Sequence, residues 1–151
     1  MSSWVLLAYR LPREPSTPRI ALWRQLRRLG VAQLADGVVA LPFDARTRER
    51  LEWLAEDVVE RGGEATIWLG EPGTAAQERT LAHRMSSAID EEYEAVILEA
   101  QASGREPSAR TLGRLRRELR RIGSRDYFPG PTRDHARRSV EGLARRLEAA
   151  S

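Results

Sequence analysis

The chain has 151 residues, 41% of them hydrophobic, with 25 arginine-type and 22 acidic charges and a formal net charge of +3. It contains neither cysteine nor lysine, and only two histidines, His83 and His135. That inventory excludes disulfide frameworks, cysteine–zinc and iron–sulfur sites, thiolate nucleophiles, Schiff-base chemistry and a P-loop lysine, and it leaves too few imidazoles for a histidine-rich metal site.

Taken in chain order, the apolar run Trp4–Tyr9, followed by Pro12 and Pro15, predicts a buried strand. Thr17-Pro18 predicts a helix start, with a hydroxyl N-cap and proline in the first turn. Leu22, Leu26 and Leu29 follow on one face and Gly30 closes the helix. Asp36-Gly37, flanked by apolar residues between Val31 and Leu41, predicts a β-hairpin. Asp44 caps a second helix with Leu51, Leu54, Ala55 and Val58 inward, and Gly62-Gly63 end it before a strand over Ala65–Leu69. The order β-α-β-β-α-β is the ferredoxin-like arrangement, in which both helices cover one face of an antiparallel sheet.

From Thr74 onward the pattern is helical. One helix is expected to about Ala102, a second from the Ser108 cap to Gly123, and a third opened by Thr132 after a loop over Asp126–Pro131. The expected fold is therefore α+β: a ferredoxin-like unit over residues 1–73 and a three-helix extension over 74–151, packed on it as one compact domain. No stretch of about 18 apolar residues occurs, so no membrane-spanning helix is expected, and a cytoplasmic location is the default reading.

Charge is segregated along the chain. Residues 1–30 carry six arginines against Glu14, and residues 105–125 carry eight against Glu106 and Glu118, while the stretch between is acidic. In the helix after Ser108, Arg110, Arg114, Arg116, Arg117, Arg120 and Arg121 fan over the arc opposite Leu112, Leu115, Leu119 and Ile122. Such a stripe could track a phosphate backbone; alternatively it is a solvated face, or it pairs with the acidic middle of the same chain. Arg24, Arg27 and Arg28 on the first helix, with Arg110, Arg114, Arg117 and Arg121, are the candidate DNA contacts. Arg10, Arg13 and Arg19 around the Pro12–Ser16 loop form a candidate oxyanion site, because guanidinium forks suit such ligands. Arg19 also has a structural reading, pairing with Glu14 or stacking on Trp23. Trp53, on the polar arc of the second helix, and Tyr127-Phe128 are candidate interface anchors, which makes a homodimer an expectation. The acidic run around Asp90–Glu94 lacks the loop and glycine of an EF-hand, and no nucleophile-elbow or dinucleotide fingerprint occurs. No metal, cofactor or catalytic residue is expected.

WVLLAYRLPREPSTPRIALWRQLRRLG, the DGVVALP hairpin and RTRERLEWLAEDVVERGGEATIWLG resemble the N-terminal domain of ChrB proteins, and RRELRRIGSRDYFPGP resembles the end of that domain. The matching positions are Pro12, Glu14, Pro15, Ser16, Arg19, Trp23, Arg24, Arg27, Gly37, Pro42, Trp53, Gly63, Asp126 and Phe128. The same half is distantly similar to the ferredoxin-like middle domain of PaaX-type repressors. The resemblance implies a non-enzymatic regulator linked to chromate resistance, with double-stranded DNA and chromate or another oxyanion as partners. A ChrB-type C-terminal sensing domain is then expected on a separate chain. Tyr9-Arg10 at the end of the first strand replaces the aspartate of CRISPR-associated ferredoxin-like nucleases, which argues against metal-dependent nuclease chemistry.

Overall fold

The computed structural model describes residues 2–151. It forms two compact units, residues 1–82 and 83–151. The first contains β1 (Trp4–Arg10), α1 (Thr17–Leu29), β2 (Ala32–Ala35), β3 (Val38–Pro42), α2 (Ala45–Glu60) and β4 (Glu64–Gly70). α3 (Ala75–Ala102) begins in the first unit and continues into the second, which also holds α4 (Ala109–Gly123) and α5 (Pro131–Ala150). The class is α+β, with the expected element order.

The sheet is antiparallel in the order β2-β3-β1-β4. Both helical crossovers, β1-α1-β2 and β3-α2-β4, skip one strand and run in opposite directions. The right-handed rule for such crossovers then puts α1 and α2 on the same face. Val5 and Leu7 on β1 pair with Leu41 and Val39 on β3, and all four are buried on that face. Leu22 and Leu26 of α1 and Leu51, Leu54 and Val58 of α2 are buried as well. Trp4, whose side chain must point the other way from Val5, is also buried. Its indole N–H donates to Glu78 Oε1 at 3.3 Å, so the start of α3 secures that end of the sheet's second face.

Helix ends follow their local chemistry, with three revisions. Ser16, not Thr17, is the N-cap of α1, and it makes no side-chain cap bond. Its backbone is helical (φ −78°, ψ −19°), whereas a capping side chain reaches the first-turn amides from an extended backbone. α5 opens on Pro131 rather than Thr132, and α4 includes Gly123, with Ser124 as its C-cap. Gly30 ends α1 in the left-handed conformation, as its position predicts. The hairpin forms, but Asp36 keeps an ordinary negative φ, and Gly37 (φ 75°) alone turns left-handed. A primed turn needs a positive φ at Asp36, so this turn is not of the type that Asp-Gly suggests, and the register slips between Gln33 and Ala35. A Cβ on Gly37 would stand 2.5 Å from the Tyr9 carbonyl oxygen, which fixes glycine there.

α2 begins on a complete capping box. Thr47 N–H donates to Asp44 Oδ1 at 2.7 Å, and Asp44 N–H donates to Thr47 Oγ1 at 3.0 Å. The Thr47 hydroxyl also donates to the Pro42 carbonyl at 2.7 Å, tying β3 to α2, and Thr47 is buried. Thr47→Ala should therefore cost about 1–3 kcal/mol, more than an exposed cap, because it strands a buried carbonyl as well. Urea denaturation of the two proteins measures the difference.

Candidate nucleic-acid interface

α4 owes its position to one apolar stripe. Leu112, Leu115 and Ile122 are buried in a cluster with Tyr93, Ile97, Val140 and Leu143 from α3 and α5, which turns the arginine arc to solvent. The structure divides that arc in two. Arg114 bonds Glu99 on α3, Arg116 Nη2 lies 3.7 Å from Glu141 on α5, and Arg121 Nη1 lies 2.7 Å from Glu118. The bond to Arg114 holds the Glu99 carboxyl below the usual carboxylate range. Arg110, Arg117 and Arg120 are exposed and meet no carboxylate within ion-pair distance among the described residues. Successive spacings of seven and three residues put these three guanidiniums on one strip of the helix. Some arginines of the stripe thus face acids of the same unit, and others face solvent.

The loop after α4 is clamped at neighbouring positions. Arg125 donates to both carboxylate oxygens of Glu92, with Nη2 to Oε1 at 2.8 Å, and its side chain is only 14% exposed. Tyr93 donates its hydroxyl to Asp126 Oδ2 at 3.0 Å. Asp126 thus anchors the loop to α3, and Tyr127 and Phe128 beside it are half-buried.

On α1, Arg24, Arg27 and Arg28 are exposed, but they are interleaved with Ile20 and Trp23, which are exposed too. The Arg27 guanidinium carbon sits 4.7 Å from the Trp23 ring centre. A stacked guanidinium there means that Arg27, not Arg19, partners Trp23. Arg19 makes no ion pair with Glu14.

One of the candidate oxyanion residues has a carboxylate partner. Arg10 Nη2 pairs with Glu64 Oε2 at 3.1 Å across β1 and β4, both side chains being largely exposed. Arg19 acts on Tyr9 from the opposite sense to Asp36: burial pushes the Tyr9 hydroxyl up, Asp36 adds to the rise, and Arg19 opposes it. Arg13 lies exposed in the loop between β1 and α1. Trp53 is exposed on the outer side of α2. Among the described residues no cluster of histidine, aspartate and glutamate has metal-binding geometry, and no helix is long and apolar enough to cross a membrane.

Two of the glycine and proline positions shared with the family-like motif have visible roles. A Cβ on Gly63 would collide with the Arg10 carbonyl and crowd Leu11 and Val58, and Pro42 accepts the Thr47 hydroxyl. The family described as "Protein ChrB, N-terminal" matches residues 19–106, more than half of the chain. The chain belongs to the ChrB N-terminal family. It is also 28% identical over 135 residues to Protein ChrB of Cupriavidus metallidurans, a match covering 85% of this chain and 41% of that protein. The chain therefore spans less than half the length of that ChrB. The family match takes in α1, α2 and β4 and stops before α4, so the solvent-facing arginines of α4 lie beyond it.

Wheel position alone includes Arg114 and Arg121 among the candidate contacts and leaves out Arg120, because it does not show which arginine meets a glutamate. It missed the Tyr93–Asp126 and Arg125–Glu92 pairs, each 33 residues apart along the chain. The acidic run on α3 was the one available signal for the second pair.

Proposed function

We propose that this chain is a non-enzymatic regulatory module of the ChrB type, acting in chromate resistance, that contacts double-stranded DNA through α4. The supporting observation is the strip of Arg110, Arg117 and Arg120, exposed and without carboxylate partners among the described residues, on a helix whose Arg114, Arg116 and Arg121 are ion-paired. Arginine keeps its charge at any working pH and makes forked bonds to phosphate, so such a strip binds the backbone without reading sequence. The neighbouring pairs of Arg114 and Arg116 with Glu99 and Glu141 hold the helix surface in place rather than add phosphate contacts.

α1 is a weaker phosphate contact, because Ile20 and Trp23 interrupt its arginines and Arg27 already lies over Trp23. An oxyanion site at Arg10, Arg13 and Arg19 is less favoured for a similar reason: Glu64 occupies Arg10. A titration of the full chain against duplex DNA over a range of salt concentrations tests the proposal. Affinity should fall steeply and linearly on a logarithmic salt axis, and an absence of binding at low salt overturns it.

A further inference from the structure

The outer faces of α1 and α2 carry large apolar side chains that the described residues leave exposed. Ile20 is 48% and Trp23 51% exposed on α1, and Trp53 is 65% and Val59 56% exposed on α2. Exposed tryptophans at the centre of a charged surface are the usual anchors of a protein interface. The net charges around the two anchors are opposite in sign. α1 contains no acidic residue, and Arg24, Arg27 and Arg28 lie on its outer arc with Ile20 and Trp23. On α2, Glu49, Glu56 and Glu60 lie on one side of the outer arc around Trp53, with Arg46 and Arg50 on its other side, and none of the three glutamates has an ion-pair partner among the described residues.

Both helices lie on the same face of the sheet. One chain therefore presents, side by side, a basic Trp-centred helix and a net acidic Trp-centred helix whose glutamates line one side of the tryptophan. Such a surface is complementary to a copy of itself turned about a two-fold axis, because the rotation lays α1 of each copy on α2 of the other and makes every contact twice. We infer that the helical face of the ferredoxin-like unit is a homodimer interface, with α1 of one chain seated on α2 of its partner. Charge complementarity favours a second copy over an unrelated partner, since each half of the complement is present on the same chain. The inference goes beyond DNA contact by α4: it assigns the α1 arginines to the partner chain and leaves Arg110, Arg117 and Arg120 free.

Sedimentation equilibrium of the full chain should show a dimer that weakens with salt. Arg24→Glu with Arg27→Glu should raise the dimer dissociation constant by about tenfold or more, and so should Glu49→Arg with Glu56→Arg. An equimolar mixture of the two double variants should restore a dimer, now a heterodimer, which a misfolded variant could not do. Trp53→Ala should raise the constant by about thirtyfold. A monomeric wild-type chain, or a dimer indifferent to both charge reversals, overturns the inference. Replacing Arg110, Arg117 and Arg120 should weaken DNA binding without changing the dimer, so the two readings fail separately.

Discussion

Arg110→Ala, Arg117→Ala and Arg120→Ala combined should reduce affinity for duplex DNA by about two to three orders of magnitude at low salt. The reasoning is electrostatic. Each arginine that neutralises a phosphate releases condensed counterions, and losing three such contacts should flatten the logarithmic salt slope by about 2–3. The three side chains are exposed and form no ion pair among the described residues, so the folded state loses almost nothing by their removal. A matched variant at Arg114, Arg116 and Arg121 should change the slope less, because those guanidiniums are engaged with Glu99, Glu141 and Glu118. Fluorescence anisotropy at several salt concentrations measures both slopes. Equal slopes for the two triple variants would show that ion pairing within the chain does not select the contacts.

The helical unit should lose about 2–3 kcal/mol of stability between pH 10 and pH 12. Tyr93 is 2% exposed, and its hydroxyl is pushed up to about 12 from an ordinary 10.0. Burial is the main cause; the bond to Asp126 and that group's negative charge add to it, and Arg133 and Arg137 oppose it. Because the folded value lies above the unfolded one, the neutral hydroxyl stabilises the fold fully below pH 10. That contribution is lost as the pH climbs through the folded value. Tyr93→Phe removes the titration and should flatten this part of the alkaline profile, at a cost of about 1 kcal/mol near neutrality for the lost hydrogen bond. Tyr9 is raised as well, so the comparison of wild type with Tyr93→Phe is what isolates Tyr93. Urea unfolding at a series of alkaline pH values, read by circular dichroism, gives the profile; an unchanged profile in Tyr93→Phe would place the titration elsewhere.

These expectations show how far local chemistry reaches. Apolar periodicity located every helix and strand, because a strand or helix that buries one face must repeat its apolar residues at two or about 3.6 positions. Asp44 and Ser108 were legible as caps, since a cap needs only a polar side chain a few residues from the amide it accepts. Ser16 was not, because its helical backbone, and not its side chain, decides that it makes no cap bond. The Asp36-Gly37 hairpin was legible, while its bulge was not: register depends on which face of the neighbouring strand must be buried.

The candidate site divides along the same line. The sequence by itself determined that positive charge gathers on α1 and α4, that every such charge is a guanidinium, and that the side chains for thiol or lysine chemistry are missing. Packing of α3 and α5 against α4 selects which arginines have a carboxylate partner among the described residues. Glu99 reaches Arg114 from α3 and Glu141 reaches Arg116 from α5, and each salt bridge depends on a few ångströms between groups 15 and 25 residues apart in the chain. The helix wheel sets the direction of a side chain, but packing sets what stands in front of it. That is why Arg110, Arg117 and Arg120 emerge as the open strip, and why the exposed tryptophans of α1 and α2 emerge as a face in need of a partner.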